Sequence, residues 1–402
     1  MPPPCFGLAS SASPFIFIPW REDLEHLWQV YTHRAHLTDK YASTNHVRRL
    51  DSRERCLRSI RLEEVDRIPT VLRCRAEILR ALELELEVSG FDAVCDVLNV
   101  DVRHGPGIGL RSDHLPQTGE YKEGGCVVSH SGGLEVRRNV WGIETEWAPD
   151  HTYTYSYSYH PLAHIELSEY RWPEVDGAGV KRLVEYRRRN EGHCVYAGVS
   201  HLFEQAWQLA GFNEFLVMMV RESSKACRIL DEIDKIRVHE AELLTEAGVD
   251  VVVDGDDVGA QASMIVSPAL WRRHLKERYL KLIRIVKKRG AKFLFHSDGW
   301  VEPIIPDLIE VGVDILNPVQ PEAMDPLSLK QRFGDKLCFD GTISIQRTLP
   351  FGTHKDVEDE VRKRIRELGP TGLILGPSHD VQTDTSVGNL VALYHAPRTV
   401  NV

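Results

Sequence analysis

The chain has 402 residues, 42% of them hydrophobic and 27% charged, which is an ordinary globular composition. Its formal net charge of -10 argues against nucleic acid or an anionic membrane as the main partner. An anionic small molecule stays open, because a local arginine cluster can still bind one.

Residues 1–45 read as an irregular extension with a Pro-rich start, and no chemistry is assigned to them. The apolar patch at 15–20 has no basic region before it and no clear small-residue cleavage site after it, so no signal peptide is expected. No apolar run approaches the ~20 residues that cross a bilayer. The eight cysteines are scattered without a CxxC pair, so a disulfide scaffold is not expected and a reducing cytoplasm is the default.

From 46 to 396 the chain reads as one domain. Asp51-Ser52-Arg53-Glu54-Arg55 opens a helix with Leu57 and Ile60 on its apolar face. Strand candidates follow at 66–72, 93–98, 194–199, 249–253, 292–295, 313–316, 337–339 and 373–375. Most are short, rich in Val, Ile, Leu or Phe, and lack alternation, as strands buried on both faces do. Amphipathic helices lie between them, at 268–288, 301–310 and 355–368. This alternation predicts a (β/α)8 TIM barrel. Residues 101–172 break the rhythm. Within them 136–142 and 153–159 read as antiparallel strands, so a β-rich insertion after strand two is expected to cover or wall the barrel mouth.

Functional groups of such a barrel gather at the carboxyl ends of its strands. The expected set is Asp96, Asp101 and Arg103 after strand two, then Ser200, His201 and Glu204 after strand three. Asp254, Asp256 and Asp257 follow strand four, and His296 and Asp298 strand five. Asn317 and Gln320, Asp340, and His379 with Asp380 follow the last three. Helix capping explains Asp254 and Asp380 without function. It explains two histidines less easily, since each stands at a strand end with a carboxylate within two positions. A metal reading uses His296, Asp298 and His379 and leaves a fourth position open, as catalytic zinc does. A metal-free reading uses the same groups as acid and base.

Several strings together resemble the uroporphyrinogen decarboxylase superfamily, which includes zinc-dependent corrinoid methyltransferases. They are Asp256-Asp257-Val258-Gly259-Ala260-Gln261, His296-Ser297-Asp298-Gly299, the run 304–320, and Gly376-Pro377-Ser378-His379 followed by Thr383-Asp384-Thr385. The resemblance runs from about 51 to 394. In the decarboxylases an aspartate contacts the substrate's pyrrole nitrogens, and Asp96 is similar in position. Their Arg-Gln-Ala-Gly-Arg string is absent here, where Arg73 and Arg75 stand near but out of register. In the methyltransferases zinc is held by His-x-Cys and a later Cys. Here His296 matches the first ligand, and Asp298 and His379 stand where the cysteines would be.

The resemblance therefore implies a methyltransferase first. His296, Asp298 and His379 would hold zinc, and Asp256 and Asp257 would orient substrate or act as base. His201, Asn317, Gln320 and Asp340 would contact substrate, and a corrinoid protein could dock as partner. The alternative it implies is a metal-free decarboxylase using Asp96, His379 and Arg103. A third reading is a tetrapyrrole- or corrinoid-binding protein without turnover. A homodimer is the base-rate expectation.

Overall fold

The computed structural model describes residues 49–116, 118–122, 124–148 and 155–400. The extension expected at 1–45, and residues 153–154 of an expected strand, lie outside them. In chain order the strands are β1 (Val102–His104), β2 (Leu110–Arg111), β3 (Tyr121–Lys122), β4 (Gly125–Ser131), β5 (Leu134–Arg138), β6 (Glu144–Trp147), β7 (Tyr155–Tyr159) and β8 (Glu174–Val175). They continue with β9 (Cys194–Gly198), β10 (Val251–Gly255), β11 (Lys292–His296), β12 (Ile315–Asn317), β13 (Cys338–Asp340) and β14 (Leu373–Ile374).

Seven of these form one parallel sheet in the order β1, β9, β10, β11, β12, β13, β14. Its curl is visible in its core. Val102, Tyr196, Val251, Leu294, Ile315, Cys338 and Ile374, each from a different strand, share one buried cluster. The two edges are also tied to one short segment, since Val102 N–H donates to the Thr70 carbonyl and Val71 N–H to that of Leu375, which a flat seven-stranded sheet would not allow. The helix Ser52–Ile60, capped by Asp51, adds Cys56 and Ile60 to it. A second, larger cluster lies where the sheet packs on surrounding helices such as Ser224–Glu246 and Glu277–Lys288.

Two expected strands come out differently. Residues 66–72 form no extended strand, only a parallel bridge from Thr70 to Leu375. Their backbone nonetheless bonds on both sides. Val71 N–H donates to Leu375, and Val102 N–H donates to the Thr70 carbonyl. Residues 93–98 belong to the helix Phe91–Leu98. Phe91, Val94, Cys95 and Leu98 recur at helical spacing, and Gly90 and a left-handed Asn99 bound the helix. The strand that this region supplies is β1, a few residues later.

Between β1 and β9 in sequence, β3 to β7 form a five-stranded antiparallel sheet. Among the described residues, no helix is long and apolar enough to cross a membrane.

Candidate functional site

The carboxyl ends of β10 and β11 lie side by side, with Gly255 paired to His296. The loops beyond them are pressed together. Ser297 Oγ accepts the N–H groups of Val258 and Gly259 at 3.0 and 3.2 Å. A Cβ on Gly259 would lie 2.4 Å from the Asp298 carbonyl, so only glycine allows this approach. Gly299, at φ +77°, donates its N–H to Gln320 Oε1 at 2.6 Å. Asp298 is thereby held between two backbone anchors.

His296, Asp298 and His379 come together, each offering one ligand atom within 4.8 Å of the others. Asp298 Oδ1 is 3.9 Å from His296 Nε2, and Asp298 Oδ2 is 3.7 Å from His379 Nε2. Neither is a hydrogen bond. Asp298 Oδ1 is buried without a hydrogen-bond partner. Asp257 stands beside them, its Oδ1 accepting the Asp298 N–H at 2.7 Å and lying 3.8 Å from His296 Nε2. Burial raises its carboxyl above the usual range, helped by Glu204 and Asp298 against the pull of His296.

Next to these groups opens a cavity of about 780 Å³, lined by His296, Asn317, His379 and Asp380, with Leu72, Phe91, Tyr186 and Tyr196 among its walls. No residue of β2 to β8 lines it, so the antiparallel sheet does not wall this cavity as expected. Residues 89–93, at the start of the helix where a strand was expected from 93, supply part of that wall instead. Helical spacing at 91, 94, 95 and 98 was the signal that could have found it.

Three cavity groups carry distinct charge. His201 Nδ1 meets Glu204 Oε2 at 2.8 Å. Burial would lower its imidazole, but the hydrogen bond and charge of Glu204 raise it to about 9. His104 goes the other way, pushed to about 3 by burial and the charge of Arg73, and is neutral. The Cys74 thiol is raised to about 12 by burial and stays protonated.

Other expected site residues are committed elsewhere. Asp96 lies on the helix Phe91–Leu98, not at a strand end, with its side chain 65% exposed and paired to Arg103. Arg103 is buried and donates to the carbonyls of Val100 and Val102, so it does not offer its charge to the cavity. Asp256 is buried and accepts from Phe203 N–H, Glu204 N–H and the Tyr279 hydroxyl. That anchors the start of the helix Phe203–Ala210 rather than freeing a base. Asp254 is paired to Arg237. Gln320 is spent on Gly299. Asp340 is fully buried, bound by Arg73 at 2.7 and 3.1 Å and by Asn317 Nδ2 at 2.8 Å. Asn317 Oδ1 lies 2.6 Å from His296 Nδ1. Arg73, which the sequence shows only as near but out of register with a carboxylate-gripping string, has this inward role instead, and no local motif announces a partner 267 positions away.

A family model described as Uroporphyrinogen decarboxylase (URO-D) matches residues 197–400. Among solved structures, a methyltransferase from Methanosarcina mazei is similar at TM-score 0.63 and 19% identity, over 87% of this chain and 98% of that one. A B12-independent methionine synthase from Shewanella sp. W3-18-1 matches at TM-score 0.38 and 15% identity, over 56% of this chain and 69% of that one. No curated protein matches by sequence.

Proposed function

The chain belongs to the uroporphyrinogen decarboxylase family, and from that premise we propose that it is a metal-dependent methyltransferase. The observation that carries this reading is the Asp298 carboxylate between two imidazoles, with Oδ1 buried and unpartnered. A buried carboxylate oxygen without a donor is costly, and a cation removes that cost. Two imidazoles and one carboxylate are also the donor set of an open catalytic zinc site. His296, Asp298 and His379 would hold the ion, zinc by family resemblance. When bound it would supply Lewis acidity toward a thiol, hydroxyl or ether of the substrate.

The chain's own residues supply the rest. Asp257, with its raised carboxyl beside His296, would take a proton from the methyl acceptor. His201, kept charged by Glu204, suits an anionic group of the substrate. The apolar and aromatic wall of Leu72, Phe91, Tyr186 and Tyr196 suits its organic body. The fold shared with the Methanosarcina mazei methyltransferase supports methyl transfer as the branch to test. A corrinoid protein as methyl carrier is part of the same proposal, carried by the resemblance alone.

Decarboxylation of a polycarboxylate draws less support. It calls for free guanidinium groups, and Arg73 and Arg103 are both engaged within the protein. Metal analysis by inductively coupled plasma mass spectrometry tests the reading. The expected result is a stoichiometric divalent metal in the parent, lost in a folded His296→Ala variant. A parent that takes up no metal after incubation with zinc sinks it.

A further inference from the structure

We infer that Arg73, Asp340 and Asn317 form a relay that fixes the hydrogen of His296 on Nδ1, so that its Nε2 lone pair faces Asp298 and His379 in advance of any ligand. The relay's purpose rests on the metal-site reading, but its geometry does not.

Hydrogen-bond donors and acceptors along the relay can take only one arrangement. Asp340 is fully buried, and both its oxygens accept from Arg73. A carboxylate held this way has no hydrogen to give. The Asn317 atom facing it, 2.8 Å from Asp340 Oδ1 and 3.2 Å from the Asp340 carbonyl, must therefore be the amide nitrogen. Two acceptors on one side settle an amide orientation that distance alone does not. The amide oxygen then points the other way, 2.6 Å from His296 Nδ1. An amide oxygen only accepts, so Nδ1 carries the hydrogen. In a neutral imidazole the lone pair is then on Nε2.

The relay has no slack. Asn317 is 2% exposed, and a Cβ on Gly341 would come within 2.9 Å of its Nδ2. Sheet register builds it in, since His296 pairs with Asn317 between β11 and β12 and Asp340 ends the adjacent β13. Outer groups of this kind change metal affinity by about 10–100-fold when removed. Arg73, Asp340 and Asn317 are thus positioning residues for His296, and Arg73 and Asn317 also border the cavity.

The test reads the tautomer directly. Full-length protein labelled with 15N-histidine is freed of metal by a chelator, and long-range 1H–15N correlations are recorded at pH 8. The His296 ring is assigned by its absence in His296→Gln. The expected spectrum shows hydrogen on Nδ1 and a bare Nε2. Hydrogen on Nε2 overturns the inference. Cobalt(II) titrations followed by visible absorption add a second arm. Asn317→Leu is expected to weaken Co2+ binding about 10–100-fold and to leave the metal-free His296 ring without its preference for hydrogen on Nδ1. A loss of Co2+ affinity with an unchanged His296 spectrum would reduce the relay to structure and overturn it. If the variant misfolds, the parent spectrum still decides. A parent with hydrogen on Nδ1 that binds neither Co2+ nor Zn2+ would end the metal reading and leave the relay standing. Metal binding with hydrogen on Nε2 would do the reverse.

Discussion

Two charged clusters of this protein use the same residue types to opposite ends. Around β1, Asp101 accepts from Arg55, Arg67 and the Thr70 N–H, while the terminal nitrogens of Arg103 are held by Val100, Val102 and Asp96. Around the end of β11, Asp298 Oδ1 has no partner among the described residues, and carboxylate oxygens stand 3.8 and 3.9 Å from His296 Nε2, beyond hydrogen-bond reach. The first cluster has spent nearly all its hydrogen bonds on holding the chain, with only Arg103 Nε among these atoms left over. The second has kept a carboxylate oxygen in reserve within 4.8 Å of two imidazole nitrogens. A site is thus marked by unpaired groups that converge on one point, not by the number of charges.

The strongest way to break this comparison is Asp298→Asn. It is expected to abolish metal binding while stabilising the metal-free chain by about 1 kcal/mol, because a half-buried carboxylate with one oxygen left without a donor disappears. Paired metal analysis and urea melts check this, and a destabilised variant would mean that Asp298 is scaffold. Arg103→Met should do the opposite. It should cost about 2–4 kcal/mol of stability and leave metal content unchanged. Loss of metal in a folded Arg103→Met protein would erase the distinction between the clusters.

Glu240 sharpens the point, since it shows a strong shift without an unspent partner. It is 6% exposed, burial raises its carboxyl to about 7, and the Ser200 N–H and hydroxyl only partly offset that. A carboxyl raised on folding keeps its proton in the folded state between its unfolded value of 4.5 and about 7. Stability is therefore lost as pH rises through that window, and the cost is complete above it. Glu240→Gln removes the cost. Its stability relative to the parent should improve by about 1–3 kcal/mol from pH 4 to pH 8, read by thermal melts at both. A flat difference across that range would refute the shift. The smallest effect belongs to Asp96→Ala. Its exposed ion pair should be worth about 1 kcal/mol or less, with no change in metal content. Loss of metal there would move Asp96 into the site.

Much of this architecture was legible in the sequence. The runs ending at His296, Asn317 and Asp340 are all strands, because unbroken apolar stretches between glycine and proline have few other ways to be buried. The helix Phe91–Leu98 was misread because its six apolar residues in eight hid a period of 3.6. The cavity wall moved with it.

What the sequence determined by itself was the parallel, strand-helix character of the chain and the residues at its last strand ends, since hydrophobic period and turn chemistry are local. Tertiary structure alone decided which of those residues are free to act. Arg73 reaches Asp340 and Asn317 reaches His296 only because the sheet curls and sets its registers. A side chain's spare hydrogen-bonding capacity depends on every neighbour that folding brings to it, and those neighbours lie far apart along the chain.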